Sequence, residues 1–250
     1  MDLTKLEEEF ANLLVNGLSD HKTAALVLAA GNSSRMEGIN KQLEPVNGIP
    51  VLARTLLAYE ACPLIEEILL VLRLSDFSTA REFQKTYNIT KLKKLVTGGN
   101  TRQESAKRGL DELDEDIRYV AIADGARCLT TSEQITRVCL AAYRHEAASA
   151  AHRISDTIKR TNSLGAVLET VDRNNLWAVQ TPQVFHKDLY AAAHAKAEAD
   201  GFVGTDDNSL IEHLGYMVYL EDCGRENLKI TTPEDLSIAS AILALREEPK

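Results

Sequence analysis

Short apolar runs alternate with longer amphipathic segments through most of this 250-residue chain, and no other feature constrains the fold as strongly. Each run has the length of a β-strand, and its nearly continuous apolar character predicts burial on both faces of a sheet. Each longer segment has the spacing of a helix that connects two parallel strands. We therefore predict an α/β fold with a Rossmann-like, mostly parallel sheet and helices on both faces.

The strands are predicted at residues 24–29, 67–72, 92–96, 119–123 and 149–152. The helices between them are predicted at residues 50–62, 75–87, 101–113 and 132–145. Pro50 suits a first helical turn and Ser75 suits an N-cap, so these two residues mark helix starts. Farther on, the pattern predicts a helix over 187–199, an acidic loop over 204–207, a strand near 217–220 and a helix opened by Pro233.

The alternation of strand and helix patterns is interrupted over residues 154–175. Two extended segments at 157–160 and 166–171 flank a turn at 162–165 there. A hairpin without its own helix cannot bury an apolar face alone. We therefore predict a protruding β-hairpin arm that needs a partner, most simply a second copy of the chain.

We predict that the chain divides into a short leader and one larger domain. Residues 1–22 are predicted to be an amphipathic helical leader, because apolar residues recur there at helical spacing. Residues 23–250 are predicted to form a single domain that carries the arm.

Bulk composition excludes several classes of protein. The net charge of −9 argues against a nucleic-acid binder, which would carry a basic face. No apolar stretch approaches the length of a membrane span. The four cysteines show no C-x-x-C spacing, so neither a zinc site nor a disulfide framework is indicated, and we expect a reduced, cytoplasmic setting.

The first candidate binding cluster follows the first strand and contains Ala29, Ala30 and Gly31, then Arg35 and Lys41. Small residues let the backbone approach a ligand and point N–H groups at it, and the two cations then face the bound ligand. This pattern favours a polyphosphate. The glycine spacings of a P-loop and of a dinucleotide fingerprint are both missing.

Two further clusters fall at strand ends. Gly99 and Asn100 lead into a helix start that places Arg102 and Ser105 on one side of the helix. A tight turn with Thr101 as a helix cap would explain the same stretch. Asp124 follows another strand and suits Mg²⁺ beside a polyphosphate, although a local ion pair with Arg127 is the rival interpretation.

A fourth group is distal in the sequence. Thr157 and Lys159 precede the turn of the arm, Arg173 follows its return, and Lys229 lies near the C-terminus. Together these residues could supply a second anion site.

The ordered set of motifs resembles the 2-C-methyl-D-erythritol 4-phosphate cytidylyltransferases of the non-mevalonate isoprenoid pathway. The resemblance runs from about residue 23 to the C-terminus. It rests on residues 29–36 with 41–42, 98–105, 124–127, 156–160, 176–183, 204–207 and 229–236. It implies the α/β fold of nucleotide-diphospho-sugar transferases and a homodimer in which each arm reaches over the neighbouring subunit. It also implies transfer of CMP from CTP to 2-C-methyl-D-erythritol 4-phosphate, with Mg²⁺ as cofactor and release of pyrophosphate.

The resemblance also implies roles for individual residues. Arg35 and Lys41 would hold the triphosphate and stabilise the transition state, and Asp124 would serve Mg²⁺. The cytidine would be surrounded by Ala29, Ala30, Gly31, Gly99, Asn100 and Ser105, with Arg102 on the same helix. The acceptor phosphate would be positioned by Arg127, Lys229, Thr157 and Arg173, the last two from the partner chain.

The chain departs from the family pattern near the implied acceptor site. Ala123 and Cys128 stand where members usually have His and Pro, and Arg153 stands where a proline is usual. Two other functions therefore stay open at this point: cytidylyl transfer to another polyol phosphate such as ribitol 5-phosphate, and non-catalytic binding of CTP by a regulator.

Overall fold

The computed structural model describes residues 21–31 and 41–247. The predicted leader, apart from its last two residues, and Arg35 lie outside these ranges. The core of the molecule is a seven-stranded sheet in the order β11-β7-β10-β6-β1-β4-β5. Four of its neighbouring pairs are parallel, and only β10 runs antiparallel to both of its neighbours. The predicted α/β fold is confirmed.

The sheet strands are β1 (Thr23–Leu28), β4 (Ile65–Leu72), β5 (Leu92–Thr97), β6 (Tyr119–Asp124), β7 (Ala147–Arg153), β10 (Trp177–His186) and β11 (Tyr219–Asp222). Two small hairpins add β2 (Pro45–Val46) with β3 (Ile49–Pro50), and β8 (Ile158–Thr161) with β9 (Val167–Val171).

Seven α-helices connect the strands in the described part of the chain: α1 (Val51–Glu60), α2 (Phe77–Thr86), α3 (Arg102–Asp111), α4 (Ser132–His145), α5 (Lys187–Asp200), α6 (Asp207–Leu214) and α7 (Pro233–Glu247). None of the helices in these ranges is long and apolar enough to cross a lipid bilayer.

The two faces of the sheet are covered by different helices. Successive residues of β1 point to opposite sides, so Ala25 and Val27 pack against α1, α2 and α4, whereas Leu26 and Leu28 pack against α3, α5 and α6. Burial on both faces is why the strands have no polar alternation. The sheet is therefore packed on both faces beneath its carboxyl edge, where the candidate clusters lie.

Three predicted boundaries are wrong in detail. The helix predicted to start at Ser75 begins at Phe77 after a 3₁₀ turn, and the Ser75 hydroxyl donates to Asp76 Oδ1 rather than capping the helix. Pro50 is the N-cap of α1 and not its first helical residue. The acidic loop ends one residue earlier than predicted, because Asp206 accepts from the Ser209 N–H and starts α6.

Strand β10 was missed entirely. Its sequence contains Pro182, which argues against a central strand because proline cannot donate to the ladder. Proline is tolerated here because the pairing of β10 with β7 is interrupted between Val179 and Gln183. The two halves of the strand pair on either side of that irregularity.

The predicted hairpin arm is confirmed. Strands β8 and β9 form a separate two-stranded sheet, and most of their residues are exposed. Leu164 at the turn is 90% exposed, and Val167 and Leu168 are also exposed. The partner that would cover these side chains stays a prediction.

Candidate functional site

Two loops of small residues meet at the carboxyl edge of the sheet. The loop after β1 is tied to β4 by the Ala29 N–H, which donates to the Val71 carbonyl at 2.7 Å. The loop after β5 is tied to the same strand by the Gly98 N–H, which donates to the Leu72 carbonyl at 3.0 Å. A Cβ at Gly98 would lie 2.3 Å from the Ala30 Cβ, so glycine is required there for the loops to approach.

The second loop is held by the first turn of α3. The Thr101 hydroxyl accepts from the Glu104 N–H at 3.0 Å, so the expected helix cap is confirmed. Ser105 Oγ accepts from the Gly99 N–H at 3.0 Å and donates to the Thr101 carbonyl at 2.8 Å. The Asn100 N–H donates to the Glu104 carboxylate at 2.8 Å. These bonds fix the loop beside the cavity described below.

Asp124 ends β6 and is surrounded by three cations. Lys229 Nζ lies 3.0 Å from its carboxylate, Arg127 Nε lies 3.3 Å away and Arg102 Nε lies 3.7 Å away. The local Asp124–Arg127 pair expected as the rival interpretation is present, but it is one contact of three. Burial raises the pKa of Asp124, yet the attraction of Lys229, Arg102 and Arg127 outweighs this and lowers the pKa to about 2.

This shift predicts how protonation of Asp124 affects stability. Its pKa in the folded chain, about 2, lies below its ordinary value of 3.8. The ionised carboxylate therefore stabilises the folded state by about 2 kcal/mol above pH 4, and this contribution is lost as the pH falls towards 2. A carboxyl ¹³C NMR titration should show Asp124 still ionised at pH 3. A titration midpoint near pH 4 would contradict the three-cation environment.

A buried network lies behind Arg102. Its Nη1 donates to Asp207 Oδ2 at 2.5 Å, and the Tyr190 hydroxyl donates to Asp207 Oδ1 at 2.5 Å. Asp207 is only 1% exposed. Burial acts to lower the pKa of Arg102, but the carboxylates of Asp207 and Asp124 raise it above its ordinary value. The Asp207 and Asn208 N–H groups donate to Gln183 Oε1 on β10, which anchors the start of α6.

A cavity of about 560 Å³ opens between the two loops and Asp124. Many of the predicted site residues line it: Ala30, Gly31, Lys41, Gly99, Asn100, Arg102, Ser105, Asp124 and Lys229. The first three clusters, which lie far apart in the sequence, therefore converge on one site, as the strand-end rule requires. Lys229, predicted to belong to a second anion site, lines this same cavity instead.

The other predicted residues lie elsewhere. Ala29 is 2% exposed beneath the loop, and Arg127 lies behind Asp124 with its Nη1 donating to the Asn227 carbonyl at 2.6 Å. Thr157 and Arg173 are exposed near the base of the arm, where Arg173 donates to the Ser155 carbonyl. They do not line the cavity of their own chain.

Two residues of the site were missed by sequence reasoning. Arg73 lines the cavity directly after β4. The same strand-end rule that selected the other clusters could have selected it. Asp207 was assigned to an acidic loop, and no local signal indicates that it pairs with Arg102, which is 105 residues away.

The departures from the family pattern have structural roles. Ala123 is 1% exposed in the core, and Cys128 is 5% exposed among the apolar residues that pack under α7. Burial raises the pKa of the Cys128 thiol to about 11, so it is neutral at physiological pH. The guanidinium of Arg153 stacks 4.4 Å from the centre of the Trp177 ring at the base of the arm.

Polyphosphates bind where small residues and fixed cations meet at the carboxyl edge of a parallel sheet. This fold and this cavity are those of the nucleotide-binding α/β class of proteins. Comparison with known families gives the particular one: the family model of 2-C-methyl-D-erythritol 4-phosphate cytidylyltransferase matches residues 23–245. The chain belongs to this family.

Individual relatives agree with that assignment. The chain is 43% identical over 228 residues to the 2-C-methyl-D-erythritol 4-phosphate cytidylyltransferase of Syntrophus aciditrophicus, covering 90% of this chain and 97% of that relative. It is 42% identical over 223 residues to the enzyme of the same name from Caldanaerobacter subterraneus, covering 88% and 98%. Among solved structures, 4-diphosphocytidyl-2C-methyl-D-erythritol synthase from Anaerococcus prevotii gives a TM-score of 0.81 at 30% identity, covering 91% and 98% of the two chains.

Proposed function

We propose that this protein transfers CMP from CTP to 2-C-methyl-D-erythritol 4-phosphate, forming 4-diphosphocytidyl-2-C-methyl-D-erythritol and pyrophosphate. The observation that carries the proposal is the convergence of Lys41, Arg102 and Lys229 on one cavity between two small-residue loops. Family membership and relatives at 42–43% identity favour this acceptor over ribitol 5-phosphate and favour an enzyme over a regulator.

The nucleotide is proposed to bind against the two loops. Their small residues, Ala29 to Gly31 and Gly99 with Asn100, allow a flat ring and a ribose to approach the backbone closely. Ser105 would contact the same moiety from the start of α3. The triphosphate would then lie towards Lys41, with Arg35 as its second proposed cation.

The reaction needs little proton transfer by the protein. A phosphate monoester has a second pKa of about 6, so the acceptor is mostly a dianion at neutral pH and can attack the α-phosphorus directly. The obstacle is repulsion between two anions, together with the charge that develops on the α-phosphoryl oxygens and on the leaving pyrophosphate. Fixed cations reduce both, and Arg102 and Lys229 are already held in place by Asp207 and Asp124.

Magnesium is proposed as the cofactor, with Asp124 as its protein ligand. Among the described residues, no group of three or more His, Cys, Asp and Glu side chains could hold a metal by itself. Mg²⁺ fits nevertheless, because it commonly takes one or two carboxylates and completes its shell with phosphate oxygens and water. Asp124 lines the cavity and is ionised at neutral pH. When bound, the metal would neutralise phosphate charge.

The acceptor phosphate is proposed to lie towards Lys229, with Arg127 behind Asp124 and with Thr157 and Arg173 supplied by the arm of a second subunit. The support for a dimer is physical: the arm exposes Leu164, Val167 and Leu168, which a partner surface would cover. A cytoplasmic location also fits, because all four cysteines are buried free thiols.

Replacing Arg173 with alanine tests the acceptor side. We expect the KM for 2-C-methyl-D-erythritol 4-phosphate to rise about tenfold or more while the KM for CTP stays within twofold, because one charge-assisted contact to the acceptor is lost. Arg160→Ala on the same arm, where Arg160 pairs with Glu169, is the matched control. Equal increases for both substrates would remove Arg173 from the acceptor site.

The function itself is tested by measuring pyrophosphate release with CTP and Mg²⁺ and each of three acceptor conditions: 2-C-methyl-D-erythritol 4-phosphate, ribitol 5-phosphate and none. We expect rapid release only with the first. Faster release with ribitol 5-phosphate would assign the other acceptor, and CTP binding without release under any condition would indicate a regulator.

A further inference from the structure

Among the described residues that line the cavity, Arg73 is the charged one that neither the sequence motifs nor the proposed mechanism uses. It follows β4 directly, and β4 lies between β1 and β5 in the sheet. The two residues before it accept hydrogen bonds from both small-residue loops, Val71 from Ala29 and Leu72 from Gly98. Neighbouring strands are about 4.8 Å apart, so Arg73 stands between the two loops that are proposed to hold the nucleoside.

The Arg73 side chain is held in one orientation. Its Nε and its Nη2 each lie 2.9 Å from Asp76 Oδ2, and Asp76 Oδ1 accepts from the Ser75 hydroxyl at 3.1 Å. Asp76 belongs to the 3₁₀ turn that follows β4, and its N–H donates to the Arg73 carbonyl. The side chain of Asp76 is only 17% exposed, whereas that of Arg73 is 41% exposed at the cavity wall.

Two properties of this pair indicate the kind of ligand group it suits. Asp76 neutralises the charge of Arg73, so the pair is a weaker attractor of phosphate than the cations around Asp124. Asp76 engages Nε and one side of Nη2. Within residues 21–31 and 41–247 no other group bonds to this guanidinium, so Nη1 and the second proton of Nη2 can act as directional donors. The pair is also separated from the Asp124 cluster on β6 by the whole of β1, roughly 10 Å.

We propose that Arg73 is a further nucleotide-binding residue that donates hydrogen bonds to the cytosine ring. Cytosine presents two neighbouring acceptors, O2 and N3, which match two guanidinium donors. Uracil carries a proton on N3, so the same donors fit it less well. Arg73 thereby contributes to the preference for cytosine, and Asp76 positions it. This inference rests on the proposed function, because it assumes that CTP occupies the cavity.

The test is calorimetric binding of CTP, CMP and UTP to the full chain and to Arg73→Leu. We expect the Kd values for CTP and CMP to rise by the same factor, about tenfold, because the lost contact is to the shared base. The Kd for UTP should change less, so the preference for CTP over UTP should fall. Arg81→Leu is the matched control, since Arg81 is an exposed arginine on α2 that contacts only Gln84 among the described residues.

Each alternative outcome has a definite meaning. If the Kd for CTP rises while the Kd for CMP is unchanged, Arg73 contacts the phosphates. If the preference for CTP over UTP is unchanged, Arg73 does not contact the base. Either result overturns the proposal. Unchanged binding of all three nucleotides would also overturn it. If the unaltered protein binds no CTP, the proposed function fails instead.

Asp76→Asn loosens the guanidinium without removing it. It should therefore reproduce a smaller loss of affinity for CTP and CMP, and thermal melting shows whether each variant is folded.

Discussion

Replacing Lys41 with alanine is expected to lower kcat on the order of 100-fold or more, the effect of removing one preorganised group that stabilises transition-state charge. Lys41 lines the cavity, and its segment is tied to α1 by the Leu52 N–H, which donates to the Gln42 carbonyl at 2.9 Å. The backbone therefore holds this cation near the proposed triphosphate. Pyrophosphate release under saturating CTP and acceptor measures the effect.

The matched control is Lys93→Ala. Lys93 is an exposed lysine whose Nζ donates to the Thr90 carbonyl, and its loss should leave kcat unchanged. Circular dichroism should give the same fold for both variants. A Lys41→Ala enzyme with a near-normal rate would remove this lysine from the mechanism, whatever happens to the KM for CTP.

Replacing Asp207 with alanine is expected to lower the free energy of unfolding by about 3 kcal/mol, the typical cost of removing one partner from a buried ion pair. Arg102 loses the carboxylate at 2.5 Å, and the Tyr190 hydroxyl loses its acceptor inside the core. Among the described residues, only the Asp124 carboxylate then still pairs with Arg102, so the KM for CTP should also rise. Urea unfolding at neutral pH measures the stability change.

Asp111→Ala provides the comparison for Asp207. Asp111 is an exposed carboxylate on α3 that pairs with Lys107 one helical turn away, and such surface pairs contribute little. We expect its loss to change the free energy of unfolding by less than about 0.5 kcal/mol. Equal stability of the Asp207 variant and the unaltered protein would show that Arg102 does not depend on Asp207.

The sequence predicted the parallel part of the fold because those strands are short, apolar and buried on both faces. It also predicted that the first three clusters meet at the carboxyl edge, because each of them follows a strand directly. It did not predict that Lys229 joins them there, since Lys229 was assigned to a second anion site. Strand β10 was not predicted because Pro182 is unusual in a central strand. Its pairing with β7 depends on a register shift between Val179 and Gln183, which no local sequence pattern indicates. Patterns of neighbouring residues therefore predict the regular strands correctly, but they do not predict an irregular strand such as β10.

The parts of the site that could not be predicted depend on long-range contacts. Asp207 approaches Arg102 only because Gln183 on β10 holds the start of α6 against the sheet. Lys229 meets Asp124 across 105 positions of sequence, and neither a local pattern nor the family resemblance predicts this pair. Arg35 and the leader lie outside the described residues, so their roles stay predictions.

The most direct measurement of the central claim is a ³¹P NMR spectrum of the reaction of CTP and 2-C-methyl-D-erythritol 4-phosphate with Mg²⁺ and the purified protein. We expect two coupled diphosphate resonances from 4-diphosphocytidyl-2-C-methyl-D-erythritol, formed in equal amount to pyrophosphate. Release of CMP and pyrophosphate without the coupled pair, or an unchanged spectrum, would contradict the central claim.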